Sequence, residues 1–256
     1  MRKKLLCLCT AVLLDLCFLG IVCRLAVGMQ WEDLAEVEQA DQTVSSPECF
    51  SGGELALTFD DGPWPETTEQ LLDGLAERGA KATFFLIGEQ IAGHEDTVRR
   101  MADEGHQVGS HTFTHMDLSR GDPAERLREI AATDETLRAL LGDGVYWLRP
   151  PWGFLAPQTA AAVEVPMVYW SLDTEDWRRL DADAVAQDII DHARDGDIIL
   201  LHDPYATSVE AALRAIDALT PQGYRFVTLE ELFRQKGVEP EPGKLYIRPD
   251  ELKRIA

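Results

Sequence analysis

Short apolar runs alternate with amphipathic stretches through most of this chain, and that rhythm constrains the fold more than any other feature. Strands are predicted at Leu55 to Phe59, Ala82 to Ile87, Val145 to Leu148, Met167 to Leu172, Ile198 to Leu201 and Tyr224 to Val227, with a shorter signal at Gln107-Val108-Gly109. Between them, helices are predicted at Thr68 to Arg78, Glu95 to Glu104, Pro123 to Leu141, Ala182 to Arg194 and Ser208 to Leu219, several followed by a stopping glycine such as Gly79, Gly105 or Gly142. A parallel crossover needs a dozen or more residues and usually uses a helix, so the alternation demands parallel strands with helices packed outside. A barrel and a doubly wound sheet both satisfy it. No GxGxxG or GxxxxGK loop opens any of the predicted helices, which favours an α/β barrel. In such barrels the reactive side chains sit at the C-terminal ends of several strands.

The 256 residues are 45% apolar and 27% charged, a globular composition, with a formal net charge of -21. That excess of carboxylates repels phosphate backbones, so nucleic acid is excluded as a natural partner. The opening segment carries Arg2, Lys3 and Lys4 and then an apolar stretch from Leu5 to Cys23 broken only by Asp15, the pattern of an export signal. A cleaved signal ending at Gly28 and an uncleaved membrane anchor both fit residues 1–28, and either puts the domain outside the cytoplasm. Membrane contact is expected only through this segment. Of five cysteines only Cys49 lies beyond it, so the exported body has no internal disulfide to rely on. Residues 29–53 read as an acidic linker, 54–236 as the folded domain and 237–256 as a charged tail without an arguable role.

Five polar clusters fall at predicted strand ends. Thr58-Phe59-Asp60-Asp61-Gly62-Pro63 forces two carboxylates together, an arrangement relieved by a cation that takes one and leaves the other as a base, although a helix-capping turn explains the same residues. Ser110-His111-Thr112-Phe113-Thr114-His115 puts two imidazoles four apart, on one face if the segment is helical. Alone, the spacing is weak. Joined to one Asp, the pair makes a three-ligand open site suited to Zn(II) and to Lewis-acid hydrolysis. Arg149-Pro150-Pro151-Trp152-Gly153 offers a guanidinium that can orient a carboxylate. Asp173-Thr174-Glu175-Asp176-Trp177 and Leu200-Leu201-His202-Asp203 complete the set.

In this order the clusters closely resemble the five motifs of the polysaccharide deacetylases, carbohydrate esterase family 4, also called the NodB-homology domain; the resemblance spans Glu54 to Lys236. It implies a distorted (β/α) barrel of about seven strands. It also implies that Asp60 is the general base, oriented by Arg149, and that Asp61, His111 and His115 bind Zn2+ or another divalent ion such as Co2+. His202 would be the general acid, with Asp173 tuning its protonation. The Trp152 amide would hold the oxyanion, Trp177 and Leu200 would wall the acetyl pocket, and Trp64 would contact sugar. Where the family often has tyrosine, this chain has Trp152. The implied activity is removal of acetyl groups from N-acetylated sugars of a cell-wall glycan, peptidoglycan before chitooligosaccharides. An O-acetyl xylan esterase and an inactive wall-glycan-binding protein are the alternatives.

Overall fold

The computed structural model describes residues 52–255. The expected signal or anchor, residues 1–28, and the linker up to residue 51, including Cys49, lie outside the described residues. Among those described, no helix is long and apolar enough to cross a membrane.

The chain alternates as its rhythm requires. Strand β1 (Gly53–Gly62) leads to α1 (Pro65–Arg78), β2 (Ala82–Leu86), a single turn α2 (Gly88–Ile91), α3 (Glu95–Asp103), β3 (Gln107–Ser110) and α4 (Pro123–Leu141). Then follow a short helix α5 (Pro157–Ala160), strands β4 (Met167–Val168) and β5 (Leu172–Asp173), a turn of helix α6 (Asp176–Arg179), α7 (Ala182–His192), β6 (Ile198–His202), α8 (Ala206–Leu219), β7 (Tyr224–Phe226) and α9 (Leu229–Gln235). Local chemistry sets the helix ends. Pro65 opens α1 where no backbone donor is needed, and Gly79 closes it at φ 61, a left-handed position that costs glycine little. Asp122 and Asp181 cap α4 and α7 by accepting the N–H of Ala124 at 3.0 Å and of Ala184 at 3.1 Å.

Strand β1 is the spine. It pairs in parallel with β2 and β6 along most of its length and with β7 at its N-terminal end, and β3 extends the sheet beyond β2. Its alternation decides what faces what. Leu55, Leu57 and Phe59 enter the large apolar layer shared with Leu71, Leu75, Val185 and Ile216 of the surrounding helices. Ala56 points the other way, into a second cluster with Phe85, Trp147, Val168 and Ile198. Burial of each Leu or Phe here contributes about 1.5–3 kcal/mol. By the same two-residue period, Thr58 and Asp60 share the inner face with Ala56.

Two expected strands are shorter than their apolar runs. Val145 to Leu148 is reduced to bridges at Leu148, which joins Ser110 on one side and Met167 on the other. Met167 to Leu172 splits into β4 and β5, because the intervening residues change neighbours: the Tyr169 N–H donates to Tyr246 O at 2.7 Å and the Ser171 N–H to Ile198 O at 2.9 Å. That switch carries the chain from the β3 side of the sheet to β6 and closes a distorted (β/α) barrel, the fold class expected.

The C-terminal residues differ from expectation. Within the segment read as a charged tail, β8 (Leu245–Arg248) adds in parallel to β4 and β9 (Glu251–Leu252) turns back antiparallel on β8. Leu245 and Tyr246 are buried, and Arg248 pairs with the buried carboxylate of Asp197. The run is short and flanked by charges, so its burial comes from its neighbours and not from a strong pattern of its own.

Candidate active site

All five clusters converge at the C-terminal ends of the parallel strands, as barrel geometry requires. Asp60 stands in register with His202 of β6 and Phe85 of β2. The His111 N–H bonds to Leu86 O at 2.8 Å and the Arg149 N–H to Ser110 O at 2.9 Å, so each loop leaves its strand beside the next. Together they frame a cavity of about 330 Å³ lined by Asp60, Asp61, His111, His115, Trp152, Trp170, Asp173, Trp177, Leu200, His202 and Tyr205.

Successive residues of a regular strand face opposite sides, so Asp60 and Asp61 cannot both reach the cavity without a break. The break is present. Asp61 has φ 71, and the register with β2 shifts between Asp60 and Gly62. Gly62 is needed at the turn, since a Cβ there would lie 2.6 Å from Asp203 Oδ2. Asp203 itself is buried and bonded by Thr68 Oγ1 at 2.5 Å, and burial raises its carboxyl to about 7.

The two acids are held differently. Arg149, fully buried with its guanidinium carbon 4.4 Å from the centre of the Phe85 ring, donates from Nη1 to Asp60 Oδ1 at 2.8 Å and to Thr58 Oγ1 at 2.7 Å. Its Nη2 donates to Tyr169 O at 2.8 Å. Burial alone would push the Asp60 carboxyl up; the charges of Arg149, His111 and His202 outweigh it and hold Asp60 below its ordinary value. Asp61 has no such partner. Burial and the neighbouring Asp60 raise it, and its buried Oδ1 is without a hydrogen-bond donor among the described residues.

That orphaned oxygen faces two imidazoles. His115 Nε2 is 3.4 Å from Asp61 Oδ1 and His111 Nε2 is 3.6 Å from it. His111 Nδ1 donates to Arg149 O at 2.7 Å, which leaves the Nε2 lone pair directed at the acids. Burial lowers both imidazoles, keeping them neutral, the form that ligates metal. One ligand atom from each of Asp61, His111 and His115 lies within 4.8 Å of the others. Ligands about 2.1 Å from a tetrahedral ion stand roughly 3.4 Å apart, so the donor set and the unsatisfied oxygen fit a divalent cation. The route to convergence is not the helical face considered from the spacing. Residues 111–117 are irregular, with Thr112 at φ 66 and His115 at φ 59, and these left-handed turns bring the rings to a 4.9 Å centroid separation.

His202 lies across the cavity, and its partner corrects one expectation. Asp176, not Asp173, bonds it: Asp176 Oδ1 is 2.9 Å from His202 Nδ1, and Oδ2 accepts the His202 backbone N–H at 2.7 Å. Asp173 is exposed at the cavity edge and accepts the Glu175 N–H at 3.0 Å. The physical reason is the turn at Glu175, φ 50, which starts α6 and swings Asp176 back under β6. Burial pulls the His202 imidazole down, but the Asp176 hydrogen bond and charge, with Asp60 and Asp61, raise it to about 9.

Trp152, at φ 53, stands over His115 with ring centroids 4.2 Å apart, and Trp177 and Leu200 also line the cavity. Trp64 does not line it; half exposed, it donates its N–H to Thr68 Oγ1 at 2.8 Å at the start of α1. Trp170 and Tyr205 line the cavity although neither was singled out in the sequence. Their only signal is aromatic character next to motif residues.

Fold and site together define a barrel protein with an Asp-His-His metal-type cluster, a separately held carboxylate and a protonated histidine at the strand ends. The sequence profile for polysaccharide deacetylase matches residues 48–169. The chain is 36% identical over 211 residues to a peptidoglycan-N-acetylglucosamine deacetylase of Bacillus cereus, covering 80% of this chain and 76% of that one. To the peptidoglycan-N-acetylglucosamine deacetylase PgdA of Listeria monocytogenes it is 36% identical over 190 residues, 74% of this chain but 41% of the relative, so it spans about four tenths of that protein's length. A solved family 4 acetyl xylan esterase from Clostridium thermocellum, in complex with a cobalt ion, superposes with a TM-score of 0.72 at 34% identity, covering 76% of this chain and 98% of that one. The chain belongs to the polysaccharide deacetylase family.

Proposed function

We propose that this chain is a metal-dependent hydrolase that removes N-acetyl groups from the sugars of a cell-wall polysaccharide, with peptidoglycan as its substrate, releasing acetate outside the cytoplasm. The observation that carries the reading is the division of two adjacent carboxylates: Asp60 is clamped by Arg149 while Asp61 faces the neutral His111 and His115. The relatives' names support the substrate, and the cationic, apolar N-terminal segment supports the location.

In this reading Asp61, His111 and His115 hold Zn2+, with Co2+ as a competent substitute. When bound, the ion supplies Lewis-acid polarisation of a carbonyl and of water. Asp60, kept ionised and oriented by Arg149, takes a proton from the water whose oxygen attacks the acetamide carbon. The Trp152 N–H donates to the carbonyl oxygen as charge develops there. His202, protonated at neutral pH, gives its proton to the departing nitrogen as the C–N bond breaks. Acetate and a free amine result. Trp152, Trp177 and Leu200, joined by Trp170 and Tyr205, enclose the acetyl group and its sugar.

Acetate release from peptidoglycan and from chitooligosaccharides tests the reading. Release is expected with zinc, lost on chelation and restored by readdition. Absence of release from every acetylated glycan by the metal-loaded chain would overturn it in favour of a binding protein. The likeness to an acetyl xylan esterase gives O-acetyl cleavage a place as second reading, and kcat/KM on acetylated xylan against the amide substrates ranks the two.

Asp176→Asn isolates the acid. Without the carboxylate's hydrogen bond and charge, burial is opposed only by Asp60 and Asp61 and His202 falls from about 9, so less of it is protonated at neutral pH. kcat is expected to drop about 100-fold, and the alkaline limb of the pH–rate profile to move to lower pH. An unchanged alkaline limb would remove His202 as the acid.

A further inference from the structure

The residues after Lys236 take no part in the chemistry above, yet they end against the cavity wall. Lys253 follows β9, with its backbone N–H fixed to Leu245 O at 2.8 Å, and its Nζ sits 3.2 Å from the centre of the Tyr169 ring. Tyr169 lies flat on Trp170, with ring centroids 3.7 Å apart and planes 13° off parallel, and Trp170 lines the cavity. The same Tyr169 ring fills the space beside Gly153, where a Cβ would meet its Cε2 at 2.0 Å. Gly153 follows Trp152, the aromatic wall over His115. One half-buried ring therefore backs two walls of the cavity, and a cation covers its outer face. The Tyr169 main chain is held independently, through its O to Arg149 and its N–H to Tyr246, so the lysine bears on the ring alone, beside its contacts with Trp170 and Gly153.

We propose that Lys253 is a positioning residue for substrate binding, its ammonium holding the Tyr169 ring against Trp170 and the Trp152 turn so that both aromatic walls are preset for the sugar. The proposal rests on the deacetylase reading and gives the C-terminal strand pair a role in it. Because Asp60 and Arg149 are fixed by their own bonds, and the main chain of the Trp152 turn by the Gly153 N–H to Pro150 O and the Phe154 N–H to Pro151 O, loss of the clamp acts on KM and spares kcat. A cation over an aromatic face is strong enough to shift KM about fivefold.

The test uses the full chain. Lys253→Met, and Lys253→Gln as a second charge-removing variant, are expected to raise KM for an acetylated chitooligosaccharide about fivefold with kcat within about twofold and zinc affinity unchanged. Lys253→Arg, whose guanidinium also seats on aromatic faces, is expected to restore KM. Acrylamide quenching of tryptophan fluorescence gives a readout free of catalysis: it is expected to rise in Lys253→Met, and the rise to vanish when Trp170→Phe is added. Unchanged KM in both charge-removing variants, or parallel losses of kcat and zinc affinity, overturns the proposal. If the wild-type chain releases no acetate, the deacetylase reading falls by itself; the quenching still decides the clamp, and no Trp170-dependent rise overturns it.

Discussion

His111→Ala is expected to abolish metal binding and acetate release together, with kcat/KM down at least about 1,000-fold, in the range set by loss of a catalytic ion. The substitution removes the Nε2 that faces both acids and the Nδ1 donor to Arg149 O at 2.7 Å. Asp61 and His115 remain, too few for a closed three-ligand set. Binding linkage adds a second readout. Zinc at about 100 times its Kd stabilises a one-site protein by about 2.7 kcal/mol, which for a domain of this size lifts Tm by roughly 5–10 °C. That zinc-dependent rise is expected in the wild type and absent in His111→Ala. Full activity in the variant, or an unaltered zinc-dependent shift, would sink the assignment of the metal ligands.

Asp60→Asn is expected to lower kcat about 1,000-fold while one metal ion per chain is retained, since an amide cannot accept the water proton. Zinc content by elemental analysis separates this variant from His111→Ala: one is inactive with metal, the other inactive without it. Stability is expected to fall as well. Arg149 is fully buried, and Asp60 is its one carboxylate partner among the described residues. Breaking a buried pair from one side costs about 3–5 kcal/mol, softened because the Asn oxygen can still accept from Nη1. Urea unfolding of the metal-free proteins reads that loss. Wild-type kcat in Asp60→Asn would exclude it as the base.

The sequence itself determined the class of fold and most of the site. Alternating apolar and amphipathic runs admit only parallel strands with helical crossovers, and five polar clusters at strand ends mark one face of a barrel. Asp60, Asp61, His111, His115, Arg149 and His202 stood out as candidates on that logic, and the resemblance of the ordered clusters to the polysaccharide deacetylases supplied their roles. Tertiary structure decided the rest, because it depends on turns whose dihedrals are not written in residue type. In Asp173-Thr174-Glu175-Asp176 three acids compete for one histidine, and the left-handed turn at Glu175 awards it to Asp176. The two histidines four apart converge through left-handed Thr112 and His115, not through a helix. Trp64 is next to a motif in sequence but outside the cavity, whereas Trp170, three residues before Asp173, lines it where the chain changes neighbours between β4 and β5. The C-terminal residues carry too weak a pattern to be read as strands, and only the unpaired edge of β4 gives Leu245 to Arg248 a place to bury. Period and composition fix which residues lie at the strand ends; the backbone turns beyond those ends, set by contacts distant in sequence, fix which of them meet.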